Sequence, residues 1–310
     1  MKTPQTRIFK KTGSTLLVAC LLILHVSWGR TRQQESEETV HPELEFILEQ
    51  VRKNLNSDRM LLSNYTYDEV EKVRFLDKDS TVKRLKEKRY EVFPALEEEL
   101  LYRKLVEEDG EPVSKKDLEQ QDRKYRKRVE KWERKLSKKG LSDEEARRLR
   151  EEEEGEKEER AIDDVFRLYE FELLGRGSVG EYSTYLIGFS PLPDYTPKVK
   201  EVKLLKKISG KAWVCDEDFQ VVRVEADLIE DASFGLGILA KLHKGATMSF
   251  QRRKVNDELW LPSVAHFSGK GRFLLFKGFR VELTSEYSDY RRFSVASSVP
   301  FSEPTQEDLR

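Results

Sequence analysis

The side chains best suited to nucleophilic or metal chemistry are few in this sequence and lie far apart. The chain has two cysteines, Cys20 and Cys215, and three of its four histidines are His41, His243 and His266. None of these three histidines lies at zinc-motif spacing from another histidine or from Cys215. Three acidic residues follow Cys215 directly, and such neighbours raise the pKa of a thiol and disfavour a nucleophile. We therefore expect no metal site, no cofactor and no catalytic cysteine.

The glycines of residues 175–180, GRGSVG, have the spacing of a dinucleotide-binding loop. This segment joins two predicted strands and opens no helix, so we interpret it as a turn. The sequence contains neither the G-x-S-x-G motif of a nucleophile elbow nor a phosphate-binding P-loop. With no convergent set of titratable groups, the chain is predicted not to be an enzyme.

Residues 232–245 are unusually apolar for a segment between two predicted strands. Its large apolar side chains are Phe234, Leu236, Ile238, Leu239 and Leu242. Connections are usually polar and exposed, so one interpretation is an apolar loop that contacts cargo, a membrane surface or a partner. The other is a short helix or strand extension packed on the sheet. The sequence leaves both open.

Aromatic residues on predicted strands are the candidates for lining a ligand site. They are Tyr65, Tyr67, Phe75, Trp213, Phe250, Trp260 and Phe273. A register error of one residue turns every side chain of a strand to the other face, so the sequence does not decide which of them point inward. For each one, the alternative is an ordinary core position.

The N-terminus has the three zones of a secretory signal in the expected order. Four basic residues and no acidic residue precede the apolar run Leu16–Val26, and Ser27 and Gly29 supply small side chains before a cleavage site. The run is shorter than the ~20 residues that span a bilayer. We therefore predict that residues 1–29 form a signal peptide cleaved after Gly29 and that the protein is exported to the periplasm. Lipid anchoring at Cys20 is less favoured, because the apolar run continues beyond it.

Charge and cysteine content limit the function classes of the mature chain. Of 57 basic and 58 acidic residues, the signal peptide removes four basic ones, which leaves a net charge of −5. Nucleic-acid binding favours a basic surface, so no nucleic-acid partner is predicted. A single remaining thiol, Cys215, excludes an internal disulfide.

A short amphipathic helix and many strands follow the signal. Residues 30–40 are polar and are predicted to be a disordered linker. Apolar residues at spacings of three and four predict a helix from Pro42 to Asn54. Alternating apolar and polar residues bounded by turn signals then predict eleven strands. Their approximate limits are 64–75, 82–93, 100–106, 166–174, 180–189, 211–215, 219–228, 247–255, 258–267, 272–283 and 290–297.

The segment 114–160 is different, because it is densely charged. Residues 115–139 carry 12 basic and 5 acidic side chains, and residues 143–160 carry 5 basic and 10 acidic ones. The opposite charges favour two antiparallel helices, a helical hairpin inserted between strands. For the second helix, a solvated charged linker is the alternative.

These elements predict a mainly β fold. Roughly ten or eleven strands in sequence imply a long, curled, antiparallel up-and-down sheet, a half-barrel, because a sheet of that length twists. The N-terminal helix and the inserted charged helical hairpin are predicted to cover its concave face. The sheet domain is predicted to span residues 41–297, with the hairpin 114–160 as an insertion and a flexible tail at 298–310.

Three stretches give the chain a family resemblance. Residues 210–226, GKAWVCDEDFQVVRVEA, form a strand, an acidic turn and a strand, and residues 255–262 and 276–279 look like further hairpins of the same kind. Together with the order of signal peptide, helix and long sheet, they resemble the LolA/LolB-like superfamily. This group includes periplasmic lipoprotein carriers and the sensor domain of RseB-type regulators.

The resemblance implies a binding protein that holds a lipid, acyl chain or lipoprotein-like apolar ligand in the concave face, for carriage or sensing. Its partners would be that apolar ligand and a membrane or an envelope protein. The chain departs from the carriers in its length and in the hairpin 114–160. The alternative is therefore a structural or regulatory interaction protein with a filled core, which docks partners through this hairpin. An unfilled cleft under the helices would favour the first function, and a packed interior the second.

Overall fold

A computed structural model describes residues 42–55, 65–93, 100–137, 143–234, 240–273 and 277–292. The predicted signal peptide 1–29, the linker 30–40 and the tail 298–310 lie outside these residues. The limits of the domain therefore stay predictions. Among the described residues, no helix is both long enough and apolar enough to cross a membrane.

Within the described residues the chain forms three α-helices, one 3₁₀ helix and thirteen strands. The helices are α1 (Pro42–Asn54), α2 (Lys115–Ser137), α3 (Asp143–Leu168) and the 3₁₀ helix (Val202–Lys207). The first strands are β1 (Tyr65–Leu76), β2 (Val82–Phe93), β3 (Tyr102–Glu108), β4 (Glu111–Pro112), β5 (Tyr169–Val179) and β6 (Tyr182–Pro191). The remaining strands are β7 (Ile208–Cys215), β8 (Val221–Leu228), β9 (Ala232–Phe234), β10 (Ala240–Leu242), β11 (Thr247–Val255), β12 (Leu259–Phe273) and β13 (Lys277–Arg292).

All thirteen strands belong to one antiparallel sheet, so the predicted mainly β fold is confirmed. The order is β4-β3-β2-β1-β13-β12-β11-β8-β7-β6-β5, with β9 and β10 beside this path. Neighbours in the sheet are mostly neighbours in sequence, as in an up-and-down arrangement. The exceptions are the pairings of β8 with β11, of β10 with β12, and of β1 with β13, which are the first and last described strands. The sheet is open, with β4 and β5 at its edges, and the inserted helices α2 and α3 connect these two edges.

Two of the gaps between predicted strands contain strand residues instead. The segment 268–271 lies inside β12, and 175–177 lies inside β5. Glycine stands at 269 and 271 because neighbouring atoms come close: a Cβ on Gly271 would lie 2.3 Å from the carbonyl oxygen of Lys241. Gly175 has a φ of +135°, which side chains disfavour, at an irregularity in the pairing of β5 with β6. The strand predicted at 272–283 contains the end of β12 and the first part of β13, and β13 then continues into the strand predicted at 290–297, as far as Arg292.

Helix α3 continues beyond its predicted end at residue 160. It runs to Leu168, and Ala161, Ile162, Val165 and Leu168 are buried in the core. The sequence signals of a strand from Phe166 were therefore misleading, because tertiary burial overrides local propensity there. A helix rather than a solvated linker forms at 143–168.

Helix α1 and the last turns of α3 pack on one face of the sheet, which we call the covered face. Leu44, Ile47, Val51 and Leu55 of the first helical segment are buried in the same cluster as the end of α3. Their three- and four-residue spacing is the one that predicted α1. Strands β5 to β8 supply the other side of this cluster, including Ile187, Phe189, Val224 and Ala226. The predicted N-terminal cover is thus present.

Helix α2 packs along β3, because the two-residue edge strand β4 pairs only with Glu107 and Glu108 of β3. The side-chain amide of Gln121 donates to the carbonyl of Leu105 and accepts from its N–H, both at 2.9 Å. The ring of Tyr125 stacks on Tyr102, with centroids 4.3 Å apart. Gln121 thereby acts like one residue of a further strand and blocks part of an otherwise exposed edge.

Candidate functional site

A kinked hairpin on the covered face forms the candidate site. β9 continues the direction of β8, and β10 precedes β11, so the four strands form one long hairpin with an interruption in each arm. Above the interruption Ala232 pairs with Leu242, and below it Asp227 pairs with Thr247. The predicted apolar segment 232–245 is therefore a strand extension at both of its ends. Its central residues Leu236, Ile238 and Leu239 lie outside the described residues, as does the side chain of Phe234.

Backbone hydrogen bonds hold the two interrupted arms together. The N–H of Leu228 donates to the carbonyl of Ala246, and the N–H of Gly245 donates to the carbonyl of Leu228, each at 2.8 Å. Gly245 has a φ of +83°, the left-handed conformation that favours glycine. The N–H of Ile229 donates to Lys207 at 2.8 Å, which ties the kink to the end of the 3₁₀ helix.

An apolar cavity of about 40 Å³ lies at this kink. Its lining comes from the 3₁₀ helix and from strands β7 to β12. The lining residues are Leu204, Ile208, Ala226, Asp227, Leu228, Ala232, Leu242, Ala246, Thr247, Met248 and Phe267. Nine of the eleven are apolar, so a ligand would be retained by the hydrophobic effect and not by polar contacts.

Small side chains create the space. Ala226, Ala232 and Ala246 all line the cavity where larger strand residues would fill it. Gly269 continues this pattern on β12, since a Cβ there would lie 3.1 Å from Leu242 and 3.2 Å from Ala246. These small lining residues are absent from the predicted site, whose strand candidates are large aromatic residues. The available signal in the sequence was a single alanine at each of these three positions, in or beside strands of larger residues.

The rim of the site is charged around Asp231. Its carboxylate lies 2.7 Å from Nζ of Lys241 and accepts the N–H of Lys244 at 2.8 Å. These two contacts, with a weaker one from His243, hold the pKa of Asp231 well below its usual range. Asp231 therefore stays ionised across the physiological range and fixes β10 to the turn that follows β8.

The covered face changes from apolar to polar along one row of directly paired residues. Directly paired residues of antiparallel strands share a face. The row crosses six strands through Ala212, Val224, Phe250, Ala265, Ser285 and Glu71. It therefore begins in the helix-covered core and ends among tyrosines and charged residues on β1.

A buried ion pair lies at the polar end of this row. Nε of Arg103 donates to Glu69 at 2.8 Å, and Glu69 is 3% exposed. Burial raises the pKa of Glu69, while the positive charge of Arg103 opposes that rise. The guanidinium of Arg103 also lies over the ring of Tyr90, 4.2 Å from its centroid. This end of the covered face can therefore accommodate polar groups.

The predicted aromatic residues do not form one site. Tyr67 and Phe250 belong to one cluster, and Tyr65 packs against Tyr290 beside it. Trp213 and Trp260 belong to a separate cluster with Cys215, on the opposite face from the Ala212 row.

The two predicted residues at the strand ends lie elsewhere again. Phe75 lies under Arg84, whose guanidinium is 4.3 Å from its ring centroid. Phe273 stacks on Phe279 at 4.7 Å. Of the predicted residues, Leu242 is one that lines the cavity. The role of the others in ligand binding stays a prediction.

Solved structures that are similar to this chain come from several bacterial genera. A Vibrio parahaemolyticus domain assigned to outer membrane lipoprotein sorting is 10% identical, with 77% of this chain and 91% of that one covered and a TM-score of 0.30. A LolA superfamily protein from Nitrosomonas europaea is 12% identical, with 81% and 94% covered and a TM-score of 0.29. A DUF1329 family protein from Desulfovibrio piger is 14% identical, with 87% and 100% covered and a TM-score of 0.29.

One of these structures, the protein from Nitrosomonas europaea, carries the LolA superfamily name of the sequence resemblance. Similarity at these identities and TM-scores supports no inference about the ligand or partner of this chain. The sequence matches no protein-family model, and the search of curated proteins gives no match.

Proposed function

We propose that the chain is a non-enzymatic periplasmic protein that binds the acyl chain of a lipid or of an acylated protein against its covered face. The apolar cavity at the kinked hairpin is the observation that carries this proposal. An apolar lining binds hydrocarbon by removing it from water and needs no titratable group. The predicted signal peptide at residues 1–29 supports export. An exported protein that binds acyl chains would serve carriage or sensing in the periplasm.

The cavity is the closed form of the proposed site. Its volume of about 40 Å³ is far below the ~300–1,000 Å³ of typical ligand pockets. An acyl chain would therefore enlarge it by parting the elements that bound it. Those elements are short: the 3₁₀ helix has six residues, and β9 and β10 have three each. Separating a short element from a sheet costs less free energy than separating a long one.

The polar end of the covered face supports an amphipathic ligand. From Val224 to Glu71 the row of paired residues passes from the apolar core to buried charge. A lipid has the same gradient from hydrocarbon to headgroup. Pure hydrocarbon would leave the polar end without a partner of matching chemistry.

Lipid extraction followed by native mass spectrometry tests the proposal. Protein purified from a bacterial envelope is expected to carry stoichiometric lipid, and the delipidated protein is expected to bind a fluorescent long-chain fatty acid. Leu242→Asn places an amide in the cavity and should weaken probe binding about tenfold or more, whereas Leu192→Asn, at a residue 38% exposed, should not. A clean apo mass together with no probe binding would overturn the proposal.

A filled covered face favours a second candidate, an envelope interaction protein that docks partners through the charged segment 114–160. The small size of the cavity is the observation in its favour. The same measurement separates the two, because an interaction protein would show neither lipid nor probe binding and would be unaffected by Leu242→Asn. Its partner would then be sought by cross-linking from α2.

A further inference from the structure

The contacts of α2 with β3 fix which side of this helix faces solvent. Gln121 and Tyr125 are held against Leu105 and Tyr102. Asp122 adds an ion pair with Lys104 at 3.2 Å. In a helix, residues on the far side of these contacts point away from the sheet.

That outer side carries a line of basic residues, which we call the basic stripe. Its members are exposed and are spaced by one, three, four or seven residues along the helix. They are Lys116, Arg123, Lys124, Lys127, Lys131 and Arg134. At 1.5 Å per residue, the stripe is about 27 Å long. No apolar residue interrupts it, since the apolar seam of α2 faces β3.

Internal ion pairs neutralise the stripe only in part. Arg123 pairs with Glu119 at 3.4 Å, and Arg134 pairs with Glu130 at 3.9 Å, both within the helix. Both pairs are exposed, so each contributes little stability. Among the residues that the structure describes, Lys116, Lys127 and Lys131 have no acidic partner. Their charges are available to an external anion.

We propose that the basic stripe binds the anionic headgroups of a lipid bilayer and so docks the protein on a membrane. This proposal rests on the proposed function, because docking would bring the acyl-binding site to its source of lipid. A straight line of charges fits a flat surface with many mobile anions better than it fits a pocket. Four of the six cations are lysines, whose flexible stems can follow mobile headgroups.

The composition of the stripe disfavours an acidic protein as the occupant. Specific protein interfaces depend on buried aromatic and arginine anchors at their centre, and the stripe offers no aromatic residue.

The next helix along the chain, α3, supports one orientation on the membrane. Its first part, residues 143–160, carries ten acidic and five basic side chains, so an anionic surface repels it while attracting α2.

Vesicle flotation tests the proposal with the full exported chain. Vesicles of phosphatidylglycerol and phosphatidylcholine are compared with vesicles of phosphatidylcholine alone, at low and high salt. The wild type should float with the anionic vesicles at low salt and dissociate as salt screens the charges. A basic residue near an anionic surface strengthens binding about fivefold, so Lys116→Gln/Lys127→Gln/Lys131→Gln should weaken it on the order of 100-fold.

A matched triple variant controls for net charge. Lys198→Gln/Lys200→Gln/Lys203→Gln removes the same charge from exposed lysines elsewhere and should retain vesicle binding. Equal loss in both triple variants, or no binding of the wild type to anionic vesicles, would overturn the proposal. Salt-sensitive dimerisation in sedimentation experiments without vesicle binding would also overturn it, and would assign the stripe to the acidic helix of a second copy.

The fatty-acid probe separates this proposal from the proposed function. In solution the stripe variant should bind the probe as the wild type does, because the stripe lies outside the cavity. Probe binding without vesicle binding would refute membrane docking alone. If the wild type does not bind the probe, the proposed function is refuted. Membrane docking is then decided by the vesicle experiment alone.

Discussion

Filling the cavity at the kinked hairpin should stabilise the protein and abolish ligand binding together. Ala226→Val adds two methyl groups on the cavity side of β8. Empty volume costs roughly 24 cal/mol per Å³, so filling about 40 Å³ should contribute about 1 kcal/mol to the free energy of unfolding. At the usual unfolding entropy per residue, that corresponds to a rise in Tm of about 2 °C.

Urea unfolding followed by tryptophan fluorescence measures the change in stability, and the fatty-acid probe measures binding. Ala212→Val is the matched control, because Ala212 packs on the same covered face without lining the cavity. It should be neutral or destabilise by roughly 1–3 kcal/mol through overpacking, with binding retained. A destabilised Ala226→Val would refute the volume argument, and a stabilised variant that still binds the probe would refute the assignment of the site.

Three further changes test other parts of the structure. Gln121→Ala removes two hydrogen bonds to the edge strand, which should destabilise α2 by about 1–3 kcal/mol and expose the bonded β3 amide to hydrogen exchange. The pKa of Asp218 is lowered although burial opposes this, because Trp260 donates to it at 2.8 Å. A carboxylate with a depressed folded-state pKa adds stability above its unfolded pKa of about 4 and loses it as pH falls. Trp260→Phe should therefore weaken stability at neutral pH and flatten its decline towards acid in urea titrations; an unchanged slope would contradict the role of this bond. Gly271→Ala would bring a methyl group into the carbonyl of Lys241, so β10 should detach from β12, with a loss of about 1–3 kcal/mol and faster amide exchange in β10. Full protection of β10 in this variant would show that the strand accommodates the methyl group.

Much of the fold was predictable because strand periodicity and turn chemistry are local. The limits of β1 and β2 lie within one or two residues of the predicted ones, and α1 matches its apolar spacing. Apart from the end of α3, the main errors concern glycine. Gly269 and Gly271 lie in a gap between two predicted strands, but in the structure they stand where a phenylalanine ring and the backbone of β10 come close to β12. Close approach is a tertiary property, and a single sequence gives no sign of it.

The candidate site was harder to predict, because it depends on which strands meet. The pairing of β1 with β13 joins residues more than 200 positions apart, and no local pattern indicates it. Irregularities of register add to the difficulty. At one such shift, Trp213 pairs with Arg223 and Val214 pairs with Val221, so Val222 of β8 has no partner on β7 and the alternation along β8 is broken. The large aromatic residues therefore lie on both faces of the sheet. The cavity is lined by alanines, which were not among the predicted site residues.

The packing around the cavity sets a lower limit on the ligand that the proposed function can accommodate. Enlarging the cavity beneath the 3₁₀ helix would expose three aliphatic side chains, Val202, Leu204 and Leu205. Exposing each costs about 1.5–3 kcal/mol, or about 5–9 kcal/mol in total. A buried methylene contributes about 0.8 kcal/mol, so roughly 6–11 methylenes offset the opening. A closed, well-packed face is therefore compatible with binding, and it selects long acyl chains over short ones.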